Sequence, residues 1–83
     1  MAMLYILFSE KLGRFYIGST QNLERRMHEH NRGQTRSTRS GVPWSCAYTE
    51  SYATSKLAKE RELQLKRWKS SIRIRELIQS SAG

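Results

Sequence analysis

Arg26 and His30 stand where core residues are expected. At about 100° per residue, Leu23, Arg26, Met27 and His30 share one face of a helix roughly 100° wide, while Arg25 and His28 fall outside it. A charge on a buried stripe is costly unless it is partnered. Two explanations fit: a snorkelling arginine beside a hydrogen-bonded histidine at the core edge, or an arginine held rigid in a cleft to meet an anion. Glu62 poses a similar question. On a helix read from Thr54 or Ser55 to about Trp68, it borders the apolar face of Leu57, Ala58, Leu65 and Trp68, and Glu60 points nearly the opposite way, into water. Arg61 falls in the middle of that face, which suggests a buried ion pair or a ligand contact. All seven acids are glutamates. A metal-binding or general-base carboxylate therefore comes from Glu10, Glu24, Glu29, Glu50, Glu60, Glu62 or Glu76.

The elements that must position these groups follow from pattern. Met3 to Phe8 is a continuous apolar run, read as a strand buried on both faces. Ser9-Glu10-Lys11-Leu12-Gly13 is a turn with Gly13 at positive φ, and Arg14 to Ile17 returns as the second strand of a hairpin. If residues near 9 and 14 pair, Tyr16 lies opposite Leu7 and diagonal to Tyr5, so two phenols share one sheet face. They either form a packing ladder or serve chemistry. Gly18 permits a turn or a close approach to the backbone, and Ser19 or Thr20 can cap the first helix. Asn31-Arg32-Gly33 is a C-cap signal. Gln34 to Pro43 is a loop carrying Arg36 and Arg39 among hydroxyl residues, suited to phosphate contacts and to a mobile edge, or simply solvated. Trp44 to Tyr52 is read as a third strand. Lys66, Arg67 and Lys69 gather near the C-terminus of the second helix, where the dipole tolerates them. A third helix from about Ser71 to Gln79 packs through Ile72, Leu77 and Ile74, and Ser80 to Gly83 is a frayed tail.

Composition bounds the partners. Eighty-three residues make one domain with a modest core, and fifteen Lys and Arg against seven acids give a net charge of +8. So large an excess points to polyanions, nucleic acid before an anionic membrane surface. The basic residues are spread over several elements rather than along one amphipathic stripe, which disfavours the membrane. No stretch could span a bilayer, and Leu4 to Phe8 is too short and lacks the basic flank of a signal peptide. The single cysteine, Cys46, excludes an intramolecular disulfide and fits a reducing, cytoplasmic setting. It reads as a small buried hydrophobe rather than a nucleophile. One Cys and two His at helical spacing do not make a structural zinc site.

Tyr5, then Tyr16-Ile17-Gly18, then Arg26 ten residues after Tyr16, His30, and a carboxylate on a downstream helix together resemble a GIY-YIG endonuclease domain. The small stand-alone bacterial members are the nearest in kind, and the incision domain of UvrC-type repair proteins is a more distant relation. The resemblance spans about residues 3 to 78 and is tightest at Gly13 to Thr20, Asn22 to Arg26 and Arg61 to Lys66. It implies an α+β fold, a small three-stranded antiparallel sheet flanked by helices, and hydrolysis of DNA phosphodiester bonds with one divalent metal, Mg²⁺ or Mn²⁺, and no small-molecule cofactor. Glu62 matches the metal-binding glutamate, Arg26 the catalytic arginine, Tyr5 and Tyr16 the motif tyrosines, and Gly18 the glycine that lets backbone come close to the site. His30 would orient a tyrosine or share the base role. Arg36, Arg39, Lys66 and Lys69 are candidate phosphate contacts. The first motif reads Met3-Leu4-Tyr5, without its glycine, and no asparagine follows Asn31. With no appended DNA-binding domain, recognition is expected to rest on strand structure rather than sequence. The competing expectation is a catalytically weak nucleic-acid-binding module that keeps the fold.

Overall fold

The computed structural model describes residues 1–82. A three-stranded antiparallel sheet, in the order β2-β1-β3, is built from β1 (Ala2–Ser9), β2 (Arg14–Thr20) and β3 (Ser45–Tyr52). The helices are α1 (Leu23–Asn31), α2 (Ser55–Trp68) and α3 (Ser71–Ala82). The apolar run of β1 makes it the central strand, covered on both faces as its composition predicts. On one face, Leu4 and Ile6 pack with Leu65 of α2 and Ile74 of α3. On the other, Tyr5 and Leu7 pack with Trp44, and Tyr16 and the α1 residues Leu23 and Met27 close over them. None of the described helices is long and apolar enough to cross a membrane.

The hairpin has the expected register: Ser9 pairs with Arg14 and Leu7 with Tyr16, around a turn in which Gly13 has φ +63°. Pairing with β1 carries β2 on to Thr20, so Ser19 and Thr20 belong to a strand and do not cap α1. The cap is Asn22, extended at φ −141°, whose Oδ1 accepts from the Arg25 amide at 3.0 Å.

Three further expectations are corrected. Ala47 is an extra residue in β3, because Ile6 pairs with Tyr48 and Leu7 with Cys46. Such a bulge re-aims the side chains around it, and Cys46 is exposed rather than buried. In α3, Ile74, Leu77 and Ile78 form the stripe that meets the sheet. Ile72 lies across the helix from them and is 72% exposed. The expected frayed tail is helical to Ala82, and its last residue, Gly83, lies outside the described residues.

Arg61 has the ion pair its position calls for. Its Nε and Nη2 donate to the two carboxylate oxygens of Glu50 at 3.0 and 3.2 Å, and the Tyr48 and Tyr52 hydroxyls donate to the same carboxylate. Trp68 lies beneath Arg61 and Arg73, the latter 4.2 Å from the ring centroid. This cluster ties β3 to α2 and α3.

Candidate active site

Tyr5, Tyr16, Arg26 and His30 come together on the α1 face of the sheet. The ring centroids of Tyr5 and Tyr16 are 6.5 Å apart, and His30 lies edge-on to both, at 5.9 and 5.1 Å. Sheet register supplies the tyrosines and helical spacing supplies Arg26 and His30, so all four side chains come from regular elements. His30 is fully buried, with Nε2 3.0 Å from the Tyr5 hydroxyl and Nδ1 2.8 Å from Thr38 Oγ1. Its stripe is thus a polar seam in which every ring nitrogen is partnered. Arg26 is half-buried and donates from Nη1 to Glu29 Oε1 at 2.9 Å.

Electrostatics on this face favour neutral rings. Burial pushes the Tyr5 phenol above its ordinary pKa, and the Arg26 guanidinium beside it opposes that rise. Burial, and then the charge of Arg26, hold His30 below the ordinary imidazole value. The bond to Glu29 raises Arg26 further, keeping it charged at any working pH.

Gly18 explains how Tyr5 can lie so close. A Cβ at this position would stand 2.6 Å from Tyr5 Cζ and nearer still to the hydroxyl. The phenol therefore occupies the space a side chain would need, which only glycine leaves open.

Glu62 arrives from the opposite face. It is 4% exposed on α2, and its Oε1 accepts from the Ser19 hydroxyl at 2.7 Å. Lys66 and Lys59 donate to Oε2 at 2.6 and 3.3 Å. Burial pushes the Glu62 carboxyl up, but the bonds from Lys66 and Ser19 outweigh it, so the group is held below the ordinary carboxylate value. Tyr5 and Glu62 thus converge on Gly18 and Ser19, adjacent residues of an edge strand. Glu62 acts on Tyr5 electrostatically, raising its pKa. The two halves of the site straddle one strand.

Among the described residues no cluster of three acidic, imidazole or thiol ligands surrounds Glu62. One hard carboxylate fits a magnesium-type ion whose remaining sites are filled by water and substrate phosphates. It does not fit zinc.

The four expected phosphate contacts divide. Lys66 and Lys69 line a groove of about 490 Å³ beside Glu62, floored by Ile17, Leu65 and Ile74, with Arg14 on the same rim. Arg36 and Arg39 instead lie exposed on the loop over the α1 face, where Arg39 Nε donates to the Gly33 carbonyl at 3.0 Å. That loop is not the mobile edge its composition suggests. Thr38 within it is fully buried, and the Trp44 indole donates to the Thr38 carbonyl at 2.7 Å. The Ser9 hydroxyl donates to the Gly41 carbonyl at 2.7 Å, and Asn31 bonds the Trp44 backbone.

Sequence reasoning missed four participants: Ser19, Glu29, Arg14 and Thr38. Strand alternation carried two residues past Ile17 would have found Ser19 on the α2 face, and the i,i+3 rule would have paired Glu29 with Arg26. Thr38 lies in a loop without periodicity and gave no signal.

Residues 1–76 match the family described as the GIY-YIG catalytic domain. Among curated proteins none matches. The fold is similar to the solution NMR structure of a UPF0213 protein from Bacillus halodurans, with 28% identity and a TM-score of 0.56, over 100% of this chain and 87% of that one.

Proposed function

Because this chain belongs to the GIY-YIG catalytic-domain family, a family of DNA nucleases, we propose that it is a divalent-metal-dependent endonuclease. In this reading it hydrolyses DNA phosphodiester bonds in the cytoplasm, with low sequence specificity and with selection by strand structure, as in repair, recombination or processing. The observation that carries it is the convergence of Tyr5 and Glu62 on Gly18 and Ser19 in a chain of net charge +8.

Nucleases of this family generally use divalent metals, and Glu62 would hold the ion, Mg²⁺ or Mn²⁺. The ion would polarise the phosphoryl oxygen and stabilise the leaving oxygen. The rest falls to this chain's own residues. Lys59 and Lys66 neutralise Glu62 in the resting protein and are released to meet phosphate when the carboxylate is engaged. Arg26 exchanges Glu29 for the scissile phosphate, whose developing charge its fixed donors offset. That movement also uncovers Tyr5, which is only 1% exposed at rest. Tyr5 then orients the attacking water and accepts its proton, with His30 behind it; Tyr16 packs on His30 and holds the ring in place. Tyr5 is the better placed of the two phenols, since its hydroxyl meets both His30 and Arg26.

The alternative, a weak nucleic-acid-binding module, draws on the fact that both Glu62 oxygens are already engaged by Ser19, Lys59 and Lys66. Cleavage of labelled single-stranded, duplex and branched DNA in Mg²⁺ or Mn²⁺ against EDTA separates the two. Metal-dependent products are expected, reduced at least about 100-fold in Glu62→Gln with DNA binding retained. Glu60→Gln should cleave as the parent does, because Glu60 is exposed. Equal effects of the two substitutions would mean that Glu62 does not hold the metal.

A further inference from the structure

The loop over α1 places one hydroxyl, Thr38 Oγ1, between the buried His30 ring and the carbonyl of Thr35. Donor and acceptor counting fixes what it does there. The Thr38 hydroxyl has a single proton and two acceptors for it: the Thr35 carbonyl, at 3.3 Å and already bonded by the Thr38 amide, or an unprotonated His30 Nδ1, at 2.8 Å. With that proton on Thr35 its oxygen accepts from His30, which places the ring proton on Nδ1. The far end of the chain decides between the two. Arg26, beside the Tyr5 oxygen, can only donate, so the Tyr5 proton has one acceptor within reach, His30 Nε2. The buried Tyr5 hydroxyl therefore requires a free Nε2 lone pair, and with it Nδ1–H donating to Thr38, whose own proton goes to Thr35.

We infer that Thr38 is a positioning residue that locks His30 in the Nδ1–H tautomer, so that Nε2 is kept ready to receive the Tyr5 proton. The inference rests on the assignment of Tyr5 as the proton acceptor above. As Tyr5 takes a proton from water, its own O–H bond breaks and an N–H bond forms at His30 Nε2. The ring becomes imidazolium while still donating from Nδ1 to Thr38. In the opposite tautomer Nε2 would carry a hydrogen, Tyr5 would have nowhere to pass its proton, and the relay would be blocked. Orientation of a catalytic imidazole through its other nitrogen is a general requirement of such relays.

The lock does not depend on sequence-local structure. Thr38 is fully buried, and its backbone is held in turn by Trp44, whose indole donates to the Thr38 carbonyl, and by its own amide donating to Thr35 at 3.1 Å. Trp44 also packs edge-on to Tyr16, 6.2 Å between centroids. Loop, strand end and relay thus form one packed unit, in which Thr38 supplies the polar contact.

The test uses the full chain labelled with ¹⁵N-histidine and free of metal and DNA, with His28→Gln distinguishing the two imidazoles. Long-range ¹H–¹⁵N correlation at a pH where His30 is neutral should show protonated Nδ1 and unprotonated Nε2. Thr38→Val, which keeps the shape and removes the hydroxyl, should lose that fixed tautomer, and Thr38→Ser should restore it. In cleavage assays Thr38→Val should lower kcat by roughly 10-fold or more with KM little changed, within the range a positioned acid–base group contributes, with Thr38→Ser close to the parent. A parent spectrum with the proton on Nε2 would overturn the inference, even if Thr38→Val does not fold. So would a folded Thr38→Val that keeps the parent tautomer, or one that loses it without a fall in kcat. If the parent shows the Nδ1–H tautomer but cleaves no DNA, the nuclease reading fails and the tautomer lock stands.

Discussion

Enclosed on all sides and facing the Arg26 guanidinium, His30 is held below its ordinary pKa of 6.5, burial being the larger cause. The titratable groups facing it are Arg26 and Glu29 on its own helix and Tyr5 and Tyr16 on the sheet. The sign follows directly. As pH falls through 6.5 the unfolded chain takes up a proton at this position and the folded chain does not, so stability declines toward the lowered folded pKa and is fully present above 6.5. Glu62 behaves in a lower window: its carboxyl is held below 4.5 in the fold, so its contribution is present above that value and is lost as pH falls through the folded pKa. Urea unfolding measured across this range should therefore lose stability in two steps. His30→Gln should remove the upper one. An identical upper slope in parent and variant would mean that His30 titrates in the fold as freely as in the unfolded chain.

At the scale of elements, β2 carries the greatest burden, because one residue, Gly18, separates the tyrosine side of the site from the Ser19 side. In Gly18→Ala the new methyl meets a rigid ring pinned by His30, so the ring cannot swing aside cheaply. The expected cost is about 1–3 kcal/mol, a fall in Tm of roughly 4–8 °C per kcal/mol for a domain of this size. Loss of the Tyr5–His30 bond should accompany it, read as a change in the His30 ring shifts. An unchanged Tm with unchanged ring shifts would show that the phenol has room to accept a methyl group beside it. Elements that follow from local chemistry were legible in the sequence: the hairpin register follows from turn length at Gly13, and the inward stripe of α1 from its spacing. Features belonging to pairs of elements were not. The bulge at Ala47 that exposes Cys46 arises only when β3 meets β1, and the cap moved to Asn22 because β1 holds Ser19 and Thr20 in a strand. Arg61 was visibly misplaced in the sequence, but its partner Glu50 lies eleven residues away on another element and could not be named. For the site, the sequence placed Tyr5 and Tyr16 on one face and Arg26 and His30 on one stripe. Nothing in it hinted that Thr38 closes the chain behind them.

For the molecule as a whole, the charge of +8 sets how it meets a polyanion. Binding to DNA should weaken linearly in log–log form with salt, with a slope of roughly 0.7 to 0.9 per phosphate neutralised. The groove rimmed by Arg14, Lys66 and Lys69 gives these charges a location next to Glu62. Lys69→Ser should lower affinity evenly across sequences and reduce the salt slope by about one. A slope that does not change would place the phosphate path elsewhere, with the loop arginines Arg36 and Arg39 the next to test.

The sheet does more than hold two clusters apart. One core, around Leu4, Ile6 and Leu65, lies on the side of Glu62; the other, around Tyr5, Leu7 and Trp44, lies on the side of Tyr5 and His30. Substitutions in the two layers share few contacts, so their costs to folding should nearly add. Under the proposed mechanism their effects on turnover should not add in the same way, since both halves would serve one step. A domain built on this plan can drift in one layer while the other is preserved by its own packing. Such drift would leave inactive descendants that are still fully folded.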